Sequence, residues 1–562
     1  MLFNLEIHPE KKMGISIGLL FDTKGVKSST WQKIYNESLQ LLNAWDFCDI
    51  RSDPESFPGT EWAFAAKAVE RCLSDGKIGW QVCGDLATLN CAEDFVLYKD
   101  IDQHHERCRR RSRERACTDD DIYAQLACDN FSLARHTKSI IPRATSLFNA
   151  KTQGYPYHLY VLAIALLIEN RLPKRVAVFG DITRGQMRRA IDWANTVLDK
   201  KLQMPDRADD HKLLERIKSS FPNGAARLEV FFGLSLSDCD TDLGHLLAAE
   251  FGIDTVKSYF KTHLKKYLAG MVGFSDLLVR YLNLGLDLES LCEVCVLDDD
   301  GCRLPTAEFI SCFIDLGLHR PGDTTDLSGN DSMQQFLPDA DTNEPQTVDS
   351  LLTGIFARAA GFRPGRQIFI PLDHIREVFT RCFGSTCNVA GIIEACLSKD
   401  EIPPADNEDE DLLDELIKEI NKTPSGGAAK SRSREKTGDM STFADLISWK
   451  PGQTFSPGVQ KGLQVLVESV KKIISQKRHE IDSFFAGPRR KETLIELNRF
   501  FIIRETTWKF IFDHCENRNF YAIVCALLFI NAEEMTTNMI CKAAVNNIEL
   551  FGHLFTVGEQ GV

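Results

Sequence analysis

The apolar positions of this chain recur in blocks, and each block predicts an element. Ile15-Ser-Ile-Gly-Leu-Leu-Phe reads as a strand. From Thr30 to Trp45 the period changes. Trp31, Ile34, Tyr35, Leu39, Leu41 and Leu42 fall at helical spacing. Gly79-Trp-Gln-Val-Cys-Gly-Asp reads as a strand entering a turn, and residues 90–98 can supply its partner. Residues 101–150 are charge-patterned and expected to be helical. A helix–strand–helix run follows over residues 157–200: an apolar stretch ending at Asn170 before Pro173, then Arg175-Val-Ala-Val-Phe, then Gly180-Asp-Ile-Thr-Arg-Gly-Gln. Thr183 and Gln186 have capping-box spacing, so a helix should start there.

Residues 207–320 are mainly helical by periodicity, and residues 321–347, rich in Gly, Asp, Thr, Ser, Asn and Pro, read as a linker or long surface loop. Structure resumes over 348–398, with Gln367-Ile-Phe-Ile-Pro-Leu leading into a helix expected to be capped by Asp373. Residues 399–445 form the clearest boundary: acidic at Asn407-Glu-Asp-Glu-Asp, then Gly, Ser, Lys and Arg, a composition that cannot bury enough apolar surface to fold alone. Ser456-Pro457 then opens a helical C-terminal domain over 446–562, with Val459, Leu463, Leu466, Val470, Ile473 and Ile474 on one face. The expected fold class is α+β, predominantly helical. Residues 1–100 form a mixed α/β domain, 101–320 a mainly helical domain with a short strand near 175–179, and 348–398 a small helical segment.

Composition adds place rather than chemistry. A chain of 562 residues suggests about three or four domains and can bury large cores without staples. The formal net charge of −14 disfavours a dedicated nucleic-acid coat and adsorption to anionic membranes. The 18 cysteines are scattered, some within apolar helical runs as at Cys525, which is the usage of reduced thiols in a cytoplasm. Met1 to Lys12 has no basic stretch followed by a long apolar run, and the longest apolar stretches, near 159–168 and 520–530, fall short of the ~20 residues a spanning helix needs. They read as central helices, apolar on every side.

Several groups carry candidate chemistry. Arg107, Arg109, Arg110, Arg111, Arg113 and Arg115 could grip a nucleic-acid backbone or an acidic partner, though Asp119, Asp120 and Asp121 follow and could pair with them. Asp238, Asp240 and Asp242 alternate like the start of a calcium loop, but Gly244 and Glu250 each sit one residue late, so a loop with Asp242 capping a helix near Leu243 is the simpler reading. Cys292 and Cys295 form one short-spaced pair, with Cys302 and Cys312 downstream. A structural zinc site usually has two such pairs. Asp85 and Asp181 each follow a strand and a glycine, and with His158, His245 or His374 could assemble a hydrolase-like site, although turn-stabilising aspartates explain them as well. Fragments resembling a phosphate loop at 426–431 and a nucleophile elbow at 233–237 lack required glycines. No cofactor is implied.

One recognition feature remains. Leu412, Leu413, Leu416, Ile417 and Ile420 share a stripe on a short acidic helix inside the linker, too short to be stable alone and so expected to dock, on this chain or on a partner. The reading the sequence favours is an intracellular regulatory or scaffold protein with a protein partner, such as a component of a bacterial defence or immunity assembly. The alternatives are an enzyme with a site assembled from distant Asp and His residues, and a nucleic-acid-binding protein using residues 107–115 with Lys471-Lys472 and Arg489-Arg490-Lys491. Oligomeric state is not legible.

Overall fold

A computed structural model of the chain describes residues 15–52, 63–104, 121–130, 144–221, 224–237, 239–319, 368–399, 439–440, 443–499, 501–530 and 535–555. The arginine run 107–115, the linker helix 412–420 and Asp238 lie outside them. The architecture is α+β and mostly helical, with short strands in the N-terminal region, a helical middle and an all-helical C-terminal region.

The N-terminal core is built around strand β1 (Ser16–Phe21) and helix α1 (Ser28–Ala44). Trp31, Ile34, Tyr35, Leu41 and Leu42 bury one face of α1, as their spacing predicts. Strands β2 (Phe47–Ser52), β3 (Ala63–Lys67), β4 (Arg71–Cys72), β5 (Ile78–Asp85) and β6 (Asn90–Tyr98) make one antiparallel sheet. β6 runs along one side of β5, β2 and β4 pair with the other, and β3 lies outside β2. Trp80 on β5 donates to Ser38 Oγ at 3.0 Å, and Trp31 donates to the Tyr98 carbonyl at 3.2 Å, so two buried indoles fix α1 against this sheet.

Helix α2 (Ile122–Asn130) and strand β7 (Thr145–Lys151) follow, then helix α3 (His158–Arg171), strand β8 (Val176–Gly180) and helix α4 (Arg184–Val197). β1 is sandwiched between β7 and β8 in a second antiparallel sheet. The expectation of helix throughout 101–150 is corrected at β7. Charge patterning hid a segment whose apolar positions pair with β1. α3 is buried from His158 to Glu169, which explains its apolar residues on every side. The capping box at Thr183 and Gln186 is present and starts α4.

Among the described residues a second core gathers side chains from Leu213 to Cys396, on helices between Asp210–Lys218 and Val389–Lys399, and takes in Leu20, Ile122, Tyr123 and Ala177. One helix begins at Leu372 with Pro371 preceding it, so Asp373 sits in the first turn rather than capping it. At the junction with the first core, Glu169 is buried. It accepts from Tyr123 Oη at 3.0 Å and from the Val178 amide at 3.2 Å, and Arg207 donates to the Val178 and Leu234 carbonyls. Arg216 pairs with Asp121 and Asp206 and stacks over the Tyr123 ring. A third core gathers residues 446–551 and takes in Phe64 and Ala66 of β3. Its long helix, Pro457–Gln476, is capped by Ser456, as the sequence indicates. No described helix is long and apolar enough to cross a membrane.

His158 is fully buried at the start of α3, with Nδ1 at 2.7 Å from Thr152 Oγ1. Burial pushes its pKa from 6.5 down to about 3, so the folded protein holds it neutral. The unfolded chain therefore takes up the proton first. The stability due to this group is complete above pH 6.5 and is lost as pH falls toward 3. In urea unfolding followed from pH 7 to pH 4.5, the wild type should lose about 1.4 kcal/mol per pH unit more than His158→Asn below the midpoint of the free imidazole. Parallel curves would contradict a neutral buried imidazole.

Candidate functional site

The groups singled out in the sequence settle into local roles. Asp181 accepts from the amide and hydroxyl of Ser16, both at 2.9 Å, and ties the end of β8 to the start of β1. Gly180 before it has φ +118°, and a Cβ there would lie 2.5 Å from the Ser16 carbonyl oxygen. Asp85 accepts from the Ala87 amide at 2.8 Å and Thr88 Oγ1 at 2.9 Å, closing the β5–β6 turn. Burial raises its pKa. Asp181 is thus engaged with Ser16, His158 with Thr152, and Asp85 with Ala87 and Thr88. The cap expected of Asp242 is corrected. Asp240 accepts from the Leu243 amide at 2.8 Å, because the helix begins at Thr241 and leaves Asp242 inside the first turn. Cys292 and Cys295 end a helix and enter a π-turn over Glu293–Leu297. Each is fully buried, the first beside Cys382 and the second beside Cys302. The secondary basic groups are paired: Lys471 with Glu468, Arg489 with Glu496, and Arg490 with Glu516.

A different group of cysteines converges. Among the described residues, Cys48, Cys83 and Cys91 are the one set of three or more ligating side chains whose donor atoms could share an ion, all within 4.8 Å of one another. The strands account for this. Cys48 on β2 and Cys91 on β6 both stand opposite Gly84 of β5. Two side chains on strands flanking a middle one are normally held apart by the residue between them. Here that residue has no side chain. A Cβ on Gly84 would lie 2.2 Å from the Asn90 carbonyl oxygen. The third sulfur needs another device, since neighbouring residues of a strand point to opposite faces. The β5–β6 register shifts between Val82 and Gly84, and such a bulge re-aims the side chain it carries. Cys83 sits in that shift and donates to the Cys48 carbonyl at 3.6 Å.

The surroundings are apolar on one side and cationic on the other. Ala65, Leu89, Ile50, Leu86 and Ile502 complete the small cluster around the sulfurs. Two cations come from the C-terminal unit. Arg504 donates to the Leu86 carbonyl at 3.0 Å and the Ala87 carbonyl at 2.7 Å, and Lys542 donates to the Leu89 carbonyl. Cys91, which is half-buried, is held below the ordinary thiol range by the Cys48 and Cys83 sulfurs beside it and by the Lys542 ammonium. Cys48 is pushed up by the Cys83 and Cys91 sulfurs beside it and by burial. Cys83 accepts from Cys48, which works the other way, yet its interaction with Cys91 and its burial still push it up. Burial lowers Lys542, and the nearby Cys91, Cys48 and Asp85 oppose that. The group thus brings three thiol sulfurs together with positive charge facing them. That is the chemistry of a nucleophile or of a soft-metal ligand set.

Sequence reasoning passed through this site without seeing it. The segment Val82-Cys83-Gly84-Asp85-Leu86 was noted for its aspartate, while the chemistry lies in the residues before it. The available signal was a cysteine in each of three strand-like segments, spaced 35 and 8 residues apart, with a glycine after the middle one. Comparison with family models, curated proteins and solved structures finds no match for this chain. The functional reading therefore rests on these residues.

Gly84→Ala should destabilise the protein by about 1–3 kcal/mol, since the methyl group meets backbone rather than a movable side chain. Urea unfolding of the two proteins measures it. A change under about 0.5 kcal/mol would mean that the strands do not converge here as tightly as described.

Proposed function

We propose that the protein is an intracellular regulator of protein interactions, in which the C-terminal helical unit is a tethered cap over an edge of the N-terminal sheet. The observation that carries this is the meeting of β3 with residues 502–504. The Ala65 amide donates to the Ile503 carbonyl at 3.0 Å, and Ala65 and Arg504 form a parallel bridge. An edge strand otherwise presents open amides and carbonyls to any extended chain. Here the chain covers its own edge, from a unit more than 400 residues away in sequence.

The cover is fastened by few groups. Arg504 and Lys542 reach across to three carbonyls of the β5–β6 turn. Asn546 orders the covering segment from behind, accepting from the Arg504 amide at 2.7 Å and donating to the Ile502 carbonyl at 2.9 Å. Phe64 and Ala66 of β3 face the C-terminal core. Hydrogen bonds from charged donors contribute about 1.5–3 kcal/mol each, so the contact is specific yet within reach of competition. The residues joining the units, 400–438, have the composition of a linker. A partner that brought its own extended strand would displace residues 502–504 and occupy β3, a known mode of peptide recognition. An intracellular setting is supported by the scattered cysteines lying within apolar runs, as at Cys525.

The test uses the full chain and a synthetic peptide of residues 499–505. Wild type should bind the peptide weakly, because its own copy holds the edge. The double variant Arg504→Ala, Lys542→Ala should bind it at least about 10-fold more tightly, the factor expected for losing about 1.4 kcal/mol of cis contact. Equal affinity in both proteins would remove the capping role.

A further inference from the structure

The geometry points to Cys48, Cys83 and Cys91 as a three-thiolate binding site for one thiophilic d10 cation, Zn2+ or Cu+. The three ligands stand on the convergence of β2, β5 and β6, while the charge and part of the cover beside them come from the C-terminal unit and rest on its contact with the sheet.

The argument begins with distance. A zinc–thiolate bond is about 2.3 Å, which places two sulfurs of a tetrahedral site about 3.8 Å apart. The three sulfurs already lie within 4.8 Å of one another. Sγ lies one bond beyond Cβ, so small rotations about χ1 close the remaining gap without moving the strands. The second argument is rigidity. The ligands come from β2, β5 and β6, not from loops, and the register shift at Cys83 turns its buried side chain toward the other two. The glycine that lets the outer two meet cannot be replaced without a backbone clash. Sites held on regular elements keep their geometry better than sites on loops.

The third argument is charge. Each sulfur still protonated gives its proton to solvent as its bond to the metal forms. Three thiolates with Zn2+ leave one negative charge, and with Cu+ two. Lys542 and Arg504, anchored on the carbonyls of Leu89, Leu86 and Ala87, supply up to two positive charges beside the cluster. A hard cation such as Mg2+ or Ca2+ is disfavoured, since these seek oxygen ligands. The apolar cover of Ala65, Leu89 and Ile502 limits access of water to the sulfurs. Among the described residues the other neighbouring cysteines, such as Cys292 with Cys382 and Cys295 with Cys302, do not bring three sulfurs within reach of one ion.

The full chain, reduced and stripped of metal, would be titrated with Zn2+ and separately with Cu+ against a competing chelator. One equivalent should bind tightly in at least one arm, and the arm with the higher affinity identifies the ion. X-ray absorption at the edge of the bound metal should show three sulfur neighbours near 2.3 Å, or slightly shorter for Cu+. This readout uses the wild type and does not depend on any variant folding. Cys91→Ser, at a half-buried position, should weaken binding at least 100-fold, while Cys72→Ser, at an exposed position, should leave it unchanged. No tight equivalent in either arm, a metal coordinated by oxygen or nitrogen alone, or undiminished binding by Cys91→Ser would each overturn the proposal.

Discussion

An edge strand has to be covered, and in this protein the covering strand comes from the far end of the chain. The hydrogen bond from the Ala65 amide to the Ile503 carbonyl is the point at which the N-terminal sheet and the C-terminal helical unit become one structure. It draws Phe64 and Ala66 into the third core and Ile502 toward the cysteines. It also brings Arg504 and Lys542 to the β5–β6 turn, where their charge faces the sulfur cluster. The interface buries hydrogen-bonding groups that would otherwise solicit another chain, and combines two cations and an asparagine with apolar contacts from Phe64, Ala65 and Ala66.

The cysteine cluster is a consequence of the same sheet. β5 is the strand against which β2, β4 and β6 all pair, and its bulge and its Gly84 together decide which side chains can meet. Remove the bulge and Cys83 turns to the other face. Add a methyl to Gly84 and β6 is pushed away. Three residues of ordinary buried character thereby become a chemical group through backbone geometry alone, without a short sequence motif.

That is also why so much of the fold was legible and so little of the site. Helix α1, the β5–β6 pair, the Thr183 capping box and the Ser456 cap depend on local periodicity and capping chemistry, which are written in neighbouring residues. β7 was hidden because its pairing with β1, not its own pattern, makes it a strand. Asp85 and Asp181 were visible as strand-end aspartates, but only the structure shows their hydrogen bonds going to nearby turn and strand groups. Cys48, Cys83 and Cys91 meet through register and a bulge, and a sequence read one segment at a time carries neither. The contact between residues 63–67 and 502–504 is more remote still, since nothing in either segment names the other.

The most direct measurement is hydrogen exchange at the Ala65 amide in the intact wild-type chain. If residues 502–504 cap β3, this amide should be protected at least about 100-fold relative to an open edge, approaching the protection of its paired neighbours on β2. Exchange at the rate of an exposed edge amide, with β2 still protected, would show that the edge is open and that the two ends of the chain do not join there.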